Sequence, residues 1–286
     1  MSKYSKIYFI GIGGIGMSAI ARYYKFKGYP VAGYDRTPSD LTHALEKEGI
    51  DIHYKDDPDY IPKDVASTLV VYTPAIPADL QELVYVREHG YTLVKRSRML
   101  GELAEGQTCL AVAGTHGKTT TSTLVAHILT ESGKGCSAFL GGISKNYDTN
   151  LLTSHTPTIV AEADEFDRSF LQLHPAIAAI TAMDADHLDI YGTLEEYRKA
   201  FKAFASQVSR TLIVKLGLDI TAEDTNARIL HYSYDNPDAD YHAANPRPDE
   251  VGHYIFDLVY PGGVIGNIRV GIPGWVNVEN SVAAAA

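Results

Sequence analysis

Cysteine is scarce in this sequence: two residues in 286, Cys109 and Cys136. No Cys-x-x-Cys pair occurs and no Cys/His spacing suits zinc. Cys109 lies in an apolar run and reads as a buried free thiol. Long apolar runs are also missing. None reaches the roughly 20 residues that a membrane helix needs, and the short stretch Ile7–Ile10 runs into glycines rather than into a signal-peptide cleavage site. A reducing cytoplasm fits these absences. Basic residues are outnumbered, 25 Lys and Arg against 35 Asp and Glu, for a formal net charge of −10. That balance argues against nucleic acid, which wants a basic face. A phosphate ligand stays open, because backbone N–H groups and one or two lysines can hold it locally. No low-complexity tract or internal repeat is seen. What is there is a 45% hydrophobic chain long enough for two cores.

The pattern of elements is alternating. Ile7–Ile10 reads as a buried strand, followed by a glycine loop, a helix from Met17 to about Lys27, and a strand near Pro30–Tyr34. Further helices are expected at Leu41–Glu48 and Leu80–His89, and strands at Leu69–Tyr72 and Tyr91–Val94. A second start follows: a strand at Thr108–Val112, a second glycine loop, and a helix to about Glu131. Strands at Thr158–Ala161, Ile177–Thr181 and Leu212–Val214 and a helix at Leu194–Ala205 continue it, with an antiparallel pair at 254–260 and 264–270 turning at Pro261-Gly262-Gly263. Gly141–Asn146 reads as another turn, either a hinge or a substrate contact. The expected fold class is α/β: a Rossmann-like parallel-sheet domain over 1–106, then a P-loop α/β domain with antiparallel additions over 107–286. Ala283–Ala286 looks like the opening turns of a helix, which suggests truncation.

The second loop, Gly114-Thr115-His116-Gly117-Lys118-Thr119-Thr120, sits between a strand and a helix. Phosphate binding needs that context: glycines let the backbone close around an anion, and N–H groups at the helix start point inward. Lys118 is placed to reach terminal phosphates, and the Thr119 hydroxyl to ligate Mg²⁺. The general P-loop pattern would want glycine at Val112, so the match is incomplete. Glu162 ends a strand of the same expected sheet, where ligands gather in open parallel sheets, and is a candidate metal ligand. His187, in Asp186-His187-Leu188-Asp189, also follows a strand. Taken singly, the Glu162–Asp167 cluster is as readily a solvated acidic turn, and His187 an ordinary hydrogen-bonded histidine.

The first loop, Gly11-x-Gly13-Gly14-Ile15-Gly16, has the spacing of a dinucleotide fingerprint, with Asp35 ending the next strand. Read alone, it points to an NAD-dependent oxidoreductase. That reading leaves the second loop unexplained. A non-catalytic nucleotide-binding module is a further alternative.

The string Gly114–Thr121 and the segment Asp186–Asp189 resemble the Mur ligase family of peptidoglycan precursor synthesis, and His116 in the third place resembles its alanine-adding branch. Gly11–Ala21, Thr73–Pro77, Arg96–Leu100 and Pro273–Asn280 resemble other segments of the family, over nearly the whole chain. The resemblance implies an ATP- and Mg²⁺-dependent ligase. It joins L-alanine to the carboxylate of UDP-N-acetylmuramate through an acyl phosphate. A branch that attaches a recycled murein peptide to the same UDP-sugar is the near alternative. The resemblance implies catalytic roles for Lys118, Glu162 and His187, and metal ligation by Thr119, Glu162 and His187. It implies an ATP site of Gly114–Thr120 with Asn277 and Asn280 toward adenine, although Val276 stands where histidine is frequent. It implies a UDP-sugar site of Gly11, Gly13, Gly14, Ile15, Gly16, Asp35, Thr73 and Arg96. Phe201 stands where several members carry a carbamoylated lysine, with Lys202 one place late, so that modification is not expected. A third domain needed for catalysis is expected to be missing.

Overall fold

A computed structural model describes residues 3–286. The chain divides into two compact units. One comprises the chain up to Leu103 together with Phe139–Thr153, and the other Ala104–Ala138 with Ser154–Ala286.

The first unit runs β1 Lys6–Ile10, α1 Ile15–Phe26, β2 Val31–Tyr34, α2 Asp40–Lys47, β3 Asp51–His53, β4 Thr68–Tyr72, α3 Gln81–Glu88, β5 Thr92–Lys95 and α4 Arg96–Ala104. Strands β1 to β5 form one sheet, all parallel, in the order β3-β2-β1-β4-β5. β1 is covered on both faces, which is why it reads as an unbroken apolar run. The chain leaves β1 for β2 on one side and later returns to β4 on the other. That change of direction opens a crevice beyond the carboxyl ends of β1 and β4. α2 starts with a capping box, in which Ser39 and Thr42 each accept the other's backbone N–H.

A buried polar cluster joins β1, the end of β3 and α3. The Tyr8 hydroxyl donates to Glu82 Oε2 at 2.6 Å and lies 2.7 Å from His53 Nε2, and Glu82 also accepts the Asp57 N–H. Burial pushes the Glu82 carboxyl up to about 7 from an ordinary 4.5, and burial lowers His53. Because the Glu82 value is raised on folding, its contribution to stability is complete below 4.5 and is lost as pH rises toward 7. His53 works in the opposite sense, losing its contribution as pH falls below its unfolded value. Glu82→Gln is therefore expected to gain stability on the unsubstituted protein as pH rises from about 5 to 8, read by urea unfolding at both ends. Parallel pH curves for the two proteins would show that Glu82 titrates alike in the folded and unfolded states.

The second sheet has the order β15-β14-β13-β12-β11-β10-β6-β9-β7-β8. Its strands are β6 Thr108–Ala113, β7 Ser137–Ser144, β8 Thr149–Leu152, β9 Thr158–Ala163, β10 Ile177–Ile180, β11 Thr211–Lys215, β12 Arg228–Ser233, β13 Tyr241–Pro248, β14 Tyr254–Tyr260 and β15 Gly263–Arg269. The helices are α5 Lys118–Glu131, the single turn α6 Leu188–Tyr191, α7 Leu194–Ser206 and α8 Trp275–Ala285. β9, β6, β10 and β11 are mutually parallel, and β13–β14–β15 are antiparallel. β6 lies between β9 and β10, so the loop after β6 opens at a second change of strand order.

Two expectations are corrected. Gly141–Ser144 is strand rather than turn, because it completes β7. Ala283–Ala286 does not open a helix: α8 begins at Trp275, and its Val278 and Val282 are buried in the core with Tyr232 and Phe256. Strands β3, β8, β12 and β13 carry no strong alternation and were not anticipated. Phe139–Thr153 groups with the first compact unit, where β8 packs on α1.

Candidate functional site

In the second unit, β6 ends at Ala113 and the chain turns through Gly114, whose φ is 137°. A Cβ there would strike the Thr181 hydroxyl and stand 2.8 Å from the Ala182 nitrogen, so only glycine lets the loop lie against β10. Strand and loop are stitched to the next connection: Thr115 N–H donates to the Ala182 carbonyl at 3.1 Å, and the Thr181 hydroxyl donates to the carbonyls of Ala113 and His116. Gly117, at φ 81°, then starts α5, whose first N–H groups lack partners within the helix. The result is a rigid anion cradle at a helix N-terminus.

Lys118 opens α5, and its ammonium folds back over this loop. Nζ donates to the Gly114 carbonyl at 2.6 Å and to Glu165 Oε1 at 2.9 Å, with Oε2 at 2.8 Å. Glu165 is 1% exposed, and its backbone carbonyl accepts the Tyr191 hydroxyl at 2.6 Å. Burial raises the Tyr191 hydroxyl above its usual range, so it stays a donor. His187 takes a left-handed conformation, φ 51°, at the start of α6, which puts its Nε2 3.9 Å from Glu165 Oε1. Glu162 lies at the end of β9 in register with Val112 of β6, one residue short of the strand's end. The loop is braced from α7 by the Tyr197 hydroxyl, 3.0 Å from Thr115 Oγ1.

α8 packs on α5. The Thr121 hydroxyl donates to Asn280 Oδ1 at 3.4 Å, and Asn280 Nδ2 donates to Asn277 Oδ1 at 3.3 Å. Asn280 therefore lies beside the start of α5, with Asn277 hydrogen-bonded to it. His116 is largely exposed at the loop crest, with Nε2 3.9 Å from Asp184 Oδ2.

The cradle fits a triphosphate on two observations: the loop has no room for a side chain at Gly114, and a lysine ammonium already lies over it. The donor set also suits Mg²⁺. Among the described residues no group of three or more His, Cys, Asp or Glu assembles into a metal cage. Mg²⁺ asks for no such cage, since it takes one or two protein ligands and fills its shell from phosphates and water.

In the first unit the residues named from sequence converge at the crevice. Ile10 is in register with Tyr34 and with Tyr72, so Gly11, Asp35 and Thr73 leave the sheet at one level. Arg96 follows β5 and lies over the start of α1, with Nη1 2.7 Å from where a Gly16 Cβ would stand. Asp35 has a role the fingerprint does not specify: its Oδ2 accepts the Gly13 N–H at 2.7 Å and so clamps the glycine loop. Gly14 and Ile15 form the exposed crest.

Residues 6–108 match the family described as Mur ligase family, catalytic domain, and residues 112–286 match the Mur ligase middle domain. The chain belongs to the Mur ligase family.

Among its relatives, the UDP-N-acetylmuramate–L-alanine ligase of Porphyromonas gingivalis strain W83 is 51% identical over 98% of this chain and 63% of its own length. That of Phocaeicola vulgatus is 52% identical over 98% and 62%. The chain thus spans somewhat less than two thirds of these curated relatives. The crystal structure of the UDP-N-acetylmuramate-alanine ligase from Thermotoga maritima superposes with a TM-score of 0.85 at 29% identity, over 98% of this chain and 63% of that one. A ligase of Neisseria meningitides for UDP-N-acetylmuramate and L-alanyl-γ-D-glutamyl-meso-diaminopimelate has the same fold, at TM-score 0.85, 23% identity, and 98% and 92% coverage.

Within this Mur ligase framework, one residue of the second unit was not singled out from sequence. Glu165 is a carboxylate paired with Lys118. The sequence showed four acids among the six residues from Glu162 to Asp167, and Glu165 precedes an irregular turn at Phe166–Gln172 with Asp167 and Arg168 both left-handed. At the position where a modified lysine was not expected, Phe201 is fully buried against Phe170, and Lys202 pairs with Asp219 and Asp224.

Proposed function

We propose that the protein joins L-alanine to the carboxylate of UDP-N-acetylmuramate at the expense of ATP. The observation that carries this is the presence of two anion cradles of different construction, each at a change of strand order in its own sheet. An oxidoreductase uses one. The alanine-adding relatives, near 50% identity, favour this branch over the recycled-peptide branch.

In this reading the glycine loop of the first unit holds the diphosphate of the UDP-sugar, with Arg96 supplying positive charge and Asp35 fixing the loop. The loop Gly114–Thr120 holds the triphosphate, with Asn277 and Asn280 toward the base. Thr119, Glu162 and His187 would hold Mg²⁺, which neutralises phosphate charge. Lys118 would add a fixed positive charge beside the transferring phosphoryl group. Little covalent chemistry is asked of the protein: it aligns a carboxylate with a phosphoryl group, then an amine with the activated acyl carbon.

The test is calorimetric titration with UDP-N-acetylmuramate, with NAD as comparison. Binding of the UDP-sugar with NAD inert is expected, and the reverse would overturn the assignment. A second titration examines the metal. Glu162→Ala is expected to reduce the gain in ATP affinity brought by Mg²⁺ by at least about tenfold. An undiminished Mg²⁺ effect removes Glu162 from the metal site.

A further inference from the structure

One fully enclosed polar residue near the first glycine loop comes from far along the chain. Asn150, on β8, is 0% exposed. Its Nδ2 donates to the Ile15 carbonyl at 2.6 Å and to the Ser18 hydroxyl at 2.8 Å. Its Oδ1 accepts from Arg22 Nη1. Ile15, Ser18 and Arg22 are spaced three and then four apart, so one amide grips a single face of α1 along its first two turns. Arg22 is held on its other side by Glu48, which takes Nε at 2.9 Å and Nη2 at 2.6 Å.

An apolar residue at 150 would bury as much surface, but apolar contact lets a helix slide and rotate. Three directional hydrogen bonds fix its axial position and its rotation. What they fix is the start of α1, where Ile15 follows Gly14 on the exposed loop crest and Gly16 faces the Arg96 guanidinium. An N–H group that is to meet an anion gains from being held in place beforehand.

We propose that Asn150 is a positioning residue for the diphosphate of the UDP-sugar: it holds the first turn of α1, and so the glycine loop, in binding register. The inference rests on the UDP-sugar reading of the first unit.

Asn150→Asp tests it. The carboxylate keeps the acceptor for Arg22 and loses both donations to α1. UDP-N-acetylmuramate affinity is expected to fall about tenfold, Mg-ATP affinity to stay unchanged, and amide hydrogen exchange to quicken at residues 14–18 but not in β1. Unchanged UDP-sugar affinity, or unchanged exchange at 14–18, overturns the proposal. Equal loss of both ligands also overturns it, because the effect would then be general. Should the variant fail to fold, Ser18→Ala removes one of the two hydrogen bonds that Asn150 donates, and a drop of about threefold in UDP-sugar affinity alone is expected. No drop there counts against the proposal equally. Failure of the unsubstituted protein to bind the UDP-sugar is a different result, and sinks the reading beneath the proposal.

Discussion

Lys118→Ala is expected to lower Mg-ATP affinity by about 10- to 100-fold and leave UDP-N-acetylmuramate affinity unchanged. A charge-assisted hydrogen bond contributes about 1.5–3 kcal/mol, and each 1.4 kcal/mol is tenfold in affinity. The substitution also acts on the free protein. Glu165 is 1% exposed and faces Lys118 across 2.8–2.9 Å. Removing the ammonium strands a buried carboxylate, at a cost of about 3 kcal/mol, the lower end for such pairs because Lys118 is at the rim. Melting should fall by roughly 6–12 °C. Lys118→Ala combined with Glu165→Gln separates the two effects: the double variant is expected to recover most of the melting temperature and none of the ATP affinity. Calorimetry and thermal unfolding on the same samples read both. Loss of both ligands with unchanged melting would contradict separate sites.

Gly114→Ala is expected to remove ATP binding more completely, by about 100-fold or beyond. The backbone sits at φ 137°, where a side chain is strained by about 1–3 kcal/mol. The added methyl also meets Thr181. Thr181→Ala should not rescue it, because the Ala182 and Thr181 nitrogens stand 2.8 and 3.0 Å from the same point and belong to the backbone of the β10 end. The loop must then move as a whole, and its N–H groups lose their common focus. ATP binding by Gly114→Ala at the original affinity would show that the loop is not the phosphate cradle.

The parts of the molecule readable from sequence share a physical cause. β1 and β6 are buried strands running straight into glycine loops, and such runs announce themselves by composition and by the residues that follow. Asp35 and Glu162 were nameable because parallel strands bring their carboxyl ends to one level, whereas Thr73 was named only through the family resemblance. The parts that stayed hidden depend on partners remote in the chain. Gly141-Gly142 reads as a turn, yet becomes strand by completing β7. Glu165 cannot be told from its acidic neighbours until a left-handed pair, Asp167 and Arg168, turns the chain. Asn150 carries no local signal at all. Its three partners lie on α1, and only the packing of β8 on that helix brings them within reach.

The division of the chain also bears on how it is made. Residues 104–138, with the whole of β6 and α5, are threaded between the two pieces of the first unit. A ribosome releasing about 5–20 residues per second therefore completes the second glycine loop before it delivers Asn150 to the first. Until then α1 lacks the three hydrogen bonds that Asn150 makes to it. Expression of residues 1–106 alone would freeze that unfinished state. A fragment extended through Thr153 would include Asn150 and both pieces of the first unit.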